Sequence, residues 1–96
     1  MIPENLKKSF IEFHKSMISN NILDPKTTFL IELGAAMAVG CYPCMENLTR
    51  AGKEMGVSEE ELGTVQAIVM AVSSGRVFNQ YREVCKRLQE DHSCAA

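Results

Sequence analysis

The sequence predicts an all-α protein of about five helices, and three observations carry that expectation. No segment alternates β-branched and polar residues as a half-buried strand would. Apolar residues recur at helical spacing instead, beginning with Leu6, Phe10, Phe13 and Met17. Helix start and stop signals punctuate the chain at Asp24-Pro25, Gly40, Gly56 and Ser58-Glu59-Glu60-Glu61.

The first helix is expected from Pro3, a residue favoured at the first helical position, to the turn cluster Ser19-Asn20-Asn21. A second opens with Asp24 as N-cap and Pro25 behind it, and runs to about Val39. From Phe29 onward this helix is apolar around nearly its whole circumference, which predicts a central, buried element. The third starts at Cys41-Tyr42-Pro43-Cys44 and stops at Gly56, a left-handed cap. Cys44, Leu48, Ala51 and Met55 share one of its faces, so Cys44 is expected to turn into packing and Cys41 to be the more exposed thiol.

The fourth helix begins with a capping box between Ser58 and Glu61, and Ser73-Ser74-Gly75 is expected to interrupt it. A fifth is expected from about Arg76 to Gln89, with Val77, Tyr81, Val84, Cys85 and Leu88 on one side.

Ninety-six residues make a single domain, 1–96. A chain of this size buries only about 60–65% of the surface that its unfolded form exposes. With 46% of its residues apolar, it carries more apolar surface than one small bundle can hide, so a homo-oligomer is expected. The net charge of −2 and the scattered Lys and Arg residues speak against nucleic-acid binding. The longest apolar run, Leu33 to Cys41, is far too short to span a membrane. The N-terminal residues show no secretory pattern, so a cytoplasmic location is expected.

Four cysteines are too few for a disulfide scaffold, and thiols in a reducing compartment are more often catalytic, redox-sensing or metal-binding. Cys41 and Cys44 form a Cys-x-x-Cys pair at a helix N-terminus, where unpaired backbone N–H groups and the helix dipole stabilise a thiolate. Two thiols at that spacing can form a reversible disulfide, hold half of a zinc site, or simply pack. Glu32 is a lone carboxylate in an apolar helix. It is either a partner for Arg50, Arg76 or a neighbouring subunit, or a general base near the thiols, raised in pKa by burial.

Cys85 reads as a small packed hydrophobe. His92 and Cys94 could complete a four-ligand zinc set with Cys41 and Cys44, and a Cys85–Cys94 disulfide is an open alternative. His14 reads as a half-exposed surface residue. No glycine loop of the kind that cradles phosphates occurs, so no organic cofactor is implied.

The order of these parts carries a resemblance. Leu30-Ile31-Glu32-Leu33-Gly34-Ala35-Ala36 leads into Gly40-Cys41-Tyr42-Pro43-Cys44, and Ala51-Gly52-Lys53-Glu54-Met55-Gly56-Val57 leads into Ser58-Glu59-Glu60-Glu61. Over residues 25–78 the chain resembles the AhpD-like, or carboxymuconolactone decarboxylase-like, family. The resemblance implies an all-α bundle assembled as a dimer, trimer or hexamer. It also implies a redox branch in which the cysteine pair reduces peroxides or relays electrons through a reversible disulfide.

That branch carries a glutamate on the preceding helix and a histidine one turn after the second cysteine, and together they activate that cysteine. The corresponding positions here are Phe29 and Leu48, neither of which can move a proton. Glu32, one turn further along the same helix, is the candidate substitute. The expected activity is thiol–disulfide exchange or peroxide reduction by Cys41 and Cys44, with an external thiol as reductant. The alternatives are a non-catalytic module that kept the fold and a cysteine-ligated metal protein.

Overall fold

Capping chemistry sets where each helix of this chain begins and ends, as a computed structural model covering residues 1–88 shows. Helix α1 spans Glu4–Ile18, α2 Pro25–Val39, α3 Tyr42–Glu54 and α4 Glu59–Arg87, and no strand occurs among the described residues. Pro3 occupies the N-cap position of α1, one place outside the first helical residue. Asp24 caps α2 by accepting the Thr27 backbone N–H at 2.8 Å and the Thr27 hydroxyl at 2.8 Å. The Thr27 backbone bond foremost, and the hydroxyl after it, hold the Asp24 carboxyl below its ordinary value near 3.8.

Gly40, at φ 74°, ends α2 in the left-handed conformation that glycine adopts without steric cost. Gly56, at φ 86°, does the same after α3, and the Val57 N–H then returns to the Gly52 carbonyl at 2.9 Å. The capping box of α4 is complete, with Ser58 Oγ accepting from the Glu61 N–H and Glu61 Oε1 accepting from the Ser58 N–H, both at 3.0 Å. Glu61 also meets Lys26, and that contact is the main reason its carboxyl lies below the ordinary value of 4.5.

Helix α2 is the centre of the fold, because α1, α3 and α4 all pack against it. Phe29, Leu33 and Ala36 are its buried apolar face. A Cβ built on Gly52 would lie 2.5 Å from Cζ of Phe29, so only glycine lets α3 approach this closely. On another side of α2, Gly34 faces Val65 and Val69 of α4. On a third, Asn20 fastens α1 by donating to the Met17 carbonyl at 2.9 Å and to Thr28 Oγ1 at 3.0 Å. The Asn20 carbonyl oxygen accepts from the N–H groups of Ile22 and Leu23, so one side chain organises the whole α1–α2 connection.

Two expectations are corrected. The fourth and fifth helices are one, because Ser73-Ser74-Gly75 does not interrupt α4. The Ser74 hydroxyl donates back to the Ala71 carbonyl at 3.0 Å, and one glycine costs a helix only about 1 kcal/mol relative to alanine. Nor is α2 buried all round, since Ile31, Ala35, Ala38 and Val39 remain exposed in the single chain.

Much apolar surface is left over. The radius of gyration is 18.6 Å, against about 12.5 Å for a compact domain of this length. The accessible surface is 7850 Å², against about 5,500 Å² for a compact chain of this mass. Phe10 and Phe13 of α1 and Val77 and Tyr81 of α4 are all more than half exposed. No helix among the described residues is long and apolar enough to cross a membrane.

Candidate functional site

Cys41 is the junction between two helices. Its backbone N–H donates to the Ala36 carbonyl at 3.0 Å, which closes α2, and its carbonyl accepts from the Met45 N–H at 2.9 Å, which opens α3. Its side chain is the N-cap of α3, with Sγ accepting the Cys44 N–H at 3.3 Å. Pro43 fits the first turn, where a missing N–H donor is no loss. Gly40 supplies the reversal that lets α3 fold back along α2.

The two sulfurs of the pair are bonded to each other, with their Cα atoms 5.3 Å apart. Cys41 is half-buried and Cys44 is exposed, which reverses the expected order. The cause is the backbone bond that ties Cys41 back onto the end of α2, whereas Cys44 lies on the open first turn of α3. Leu48 and Ala51, on the face that Cys44 was expected to share, are half-buried as that face predicts. Tyr42 stands beside the pair, 80% exposed.

Glu32 lies on α2 roughly 12 Å before Gly40 along the helix axis, at the rise of an α-helix. Its side chain is 21% exposed, and Nε2 of His14 on α1 comes within 4.0 Å of its carboxylate. Met17, Asn20, Leu23, Thr28 and Ala35 surround it in a shallow cavity of about 330 Å³. Arg50, one of its expected partners, is engaged instead by Glu46 at 3.0 Å on its own helix. The contact with His14 has no signature in the sequence, because it depends on how α1 crosses α2.

Phe29 sits against Gly52, so the position that lacks a glutamate is filled by packing. Leu48, where the resemblance implies a histidine, is half-buried on α3. Cys85 is buried at 5% exposure. His92 and Cys94, with the zinc set and the Cys85–Cys94 disulfide considered for them, lie outside the described residues. Among the described residues no group of three or more His, Cys, Asp or Glu side chains is placed to hold a metal ion.

Fold and site together define a small all-helical protein with a Cys-x-x-Cys disulfide at the start of its third helix. The model of the carboxymuconolactone decarboxylase family matches residues 4–86, and the chain belongs to that family. No curated protein and no solved structure matches the chain.

Proposed function

We propose that this protein is a thiol–disulfide oxidoreductase or peroxide reductase whose reacting groups are Cys41 and Cys44. The observation that carries the reading is the Cys41–Cys44 bond, which spans the N-cap of α3 with one sulfur held by a backbone N–H and the other exposed. An external thiolate reaches the more exposed sulfur of Cys44. Cys41 then leaves as a thiolate at a helix N-terminus, where the Cys44 N–H and the dipole stabilise it. A better-stabilised leaving thiolate leaves faster.

Run forward, the Cys44 thiolate attacks a disulfide substrate, forms a mixed disulfide and expels the first substrate thiolate. The Cys41 thiolate then attacks Cys44 Sγ, expels the second substrate thiolate and restores the Cys41–Cys44 bond. Two electrons pass to the substrate, and an external dithiol returns them. With a peroxide, the Cys44 thiolate takes the terminal oxygen and becomes a sulfenic acid while the other oxygen leaves, with a proton, as an alcohol or water; the Cys41 thiol then displaces the sulfenic oxygen as water and forms the Cys41–Cys44 bond.

Glu32 is the acid–base group in this reading, with His14 as its partner. The protein works as a homo-oligomer in the cytoplasm and draws its electrons from a thiol reductant there. The unspent apolar surface of the single chain supports the assembly.

Equilibration in graded dithiothreitol buffers, with trapped thiols read by mass spectrometry, tests the proposal. A single two-electron transition of the 41–44 pair within the roughly −200 to −270 mV span of working dithiols is expected, and it is lost in Cys41→Ser. A pair that stays oxidised below about −300 mV has the potential of a structural disulfide and overturns the reading.

A further inference from the structure

Helix α4 changes its apolar side partway along. In its first half, Val65 and Val69 face Gly34 of α2. Past Ser73-Ser74-Gly75 the apolar residues are Val77, Phe78, Tyr81, Val84, Cys85 and Leu88. At the roughly 100° that each residue turns in an α-helix, these six share an arc of about 120°. The centre of that arc lies roughly 130° round the helix from Val65 and Val69, so the second half turns its apolar face away from α2. Cys85 is buried, and the other five are exposed.

The second half also leaves the body of the protein behind. Lys26 meets Glu61 near the starts of α2 and α4, and Gly34 meets Val65 and Val69 further on, so the two helices run in the same direction. At about 1.5 Å per residue, the 29 residues of α4 make it roughly 20 Å longer than the 15-residue α2.

Charge is concentrated on this arm. Residues 76–88 hold Arg76, Arg82, Lys86 and Arg87 against Glu83, a net of +3 in a chain of net −2, so all other residues sum to −5. Arg82 borders one edge of the apolar arc, with its guanidinium 5.7 Å from the centre of the Phe78 ring. Arg87 and Arg76 stand behind Gln80 at the other edge. Glu83, the single acid, lies on the opposite side of the helix, where it meets Arg87 at 3.5 Å.

We infer that this arm lies on an anionic lipid bilayer, with its axis in the plane of the surface. A bilayer offers an apolar interior overlaid by negative head groups, and the arm presents an apolar stripe with arginines along both edges. Phe78 and Tyr81 enter below the head groups, while the arginine stems reach back to lipid phosphates. An acidic protein partner would need a groove cut to this helix; a fluid bilayer needs only the stripe and its charged borders. The contact is attachment and not a span, for no helix among the described residues is long and apolar enough to cross a membrane. The arm is distinct from the dithiol, so this inference stands or falls apart from the proposed redox activity.

Co-sedimentation of the full chain with lipid vesicles is the test. Binding to phosphatidylcholine vesicles containing about one-third phosphatidylserine is expected, and it weakens as salt is raised. Vesicles of phosphatidylcholine alone leave most of the protein in the supernatant. Arg82→Gln/Arg87→Gln lowers the partition coefficient more than about tenfold, and so does Phe78→Ser/Tyr81→Ser, with helical circular dichroism retained in both. Lys7→Gln/Lys8→Gln, which removes the same charge from α1, changes it less than about twofold. A second measurement does not depend on how these variants fold. The chain has no tryptophan, so Tyr81→Trp places a single reporter on the arm. Its emission is expected to shift to the blue with anionic vesicles and to be quenched by brominated lipid tails. Equal binding to neutral vesicles, or equal losses in the Arg82/Arg87 and Lys7/Lys8 variants, would overturn the inference. Absence of binding to either vesicle also overturns it and leaves the stripe to a protein partner. So does an emission that is blue before vesicles are added and unchanged by them, which gives the face to a second copy of the chain.

Discussion

The α2–α3 hairpin and the outer helices meet the demands of folding in different ways. Around the hairpin nearly everything is satisfied within one chain: Asp24 caps α2, Gly40 and Gly56 end the helices, and Phe29 and Leu33 are buried. Along α1 and the second half of α4, apolar residues at helical spacing remain exposed, with Phe13 at 70% and Tyr81 at 65%. The hairpin is a finished piece of structure that presents a disulfide. The outer helices keep much of their apolar surface exposed. The contrast separates the part of the chain that buries its own apolar residues from the parts that leave them exposed.

Substitutions can break or sharpen this contrast. The largest effect is expected from Leu33→Ala, which empties the one fully buried large side chain among the described residues and lowers unfolding free energy by about 2–5 kcal/mol in urea titration. Gly52→Ala comes next. Its new methyl group meets the rigid ring of Phe29 rather than a flexible chain end, and the expected loss is about 1–3 kcal/mol in the same measurement.

Acid acts more mildly. Asp24 and Glu61 both sit below their ordinary values of 3.8 and 4.5, so the folded state favours their charged forms. The stability they lend is fully present above those values and is lost as pH falls through the lower folded ones. Asp24 is exposed and Glu61 half-exposed, so the slope is shallow, and Asp24→Asn flattens it further in melts recorded from pH 6 down to pH 3. The smallest effect belongs to the outer region. At concentrations where the chain is monomeric, Phe13→Ser changes unfolding free energy by no more than about 0.5 kcal/mol.

Local chemistry was legible in the sequence, and surroundings were not. Asp24-Pro25, Gly40 and the Ser58–Glu61 box mark their helix ends correctly, because capping is settled by residues within one turn of each other. The cysteine pair at the head of α3 was legible for the same reason. The break expected at Ser73-Ser74-Gly75 fails because small propensity costs are outweighed by the continuous helix on either side. The relative exposure of Cys41 and Cys44 was misjudged because a helical face indicates only a direction. A backbone bond to Ala36 decides which sulfur is tucked in. The approach of His14 to Glu32 joins residues from two helices, and no spacing in the sequence encodes that crossing.

Because Cys41 closes one helix and caps the next, the electronic state of its sulfur and the integrity of the first turn of α3 are a single variable. A thiolate accepts the Cys44 N–H more strongly than a disulfide sulfur does, so the folded turn favours the reduced pair and leans it toward acting as an oxidant. Anything that melts that turn withdraws the preference. A partner that pries open the head of α3 would therefore make the same two cysteines a stronger reductant without touching either sulfur.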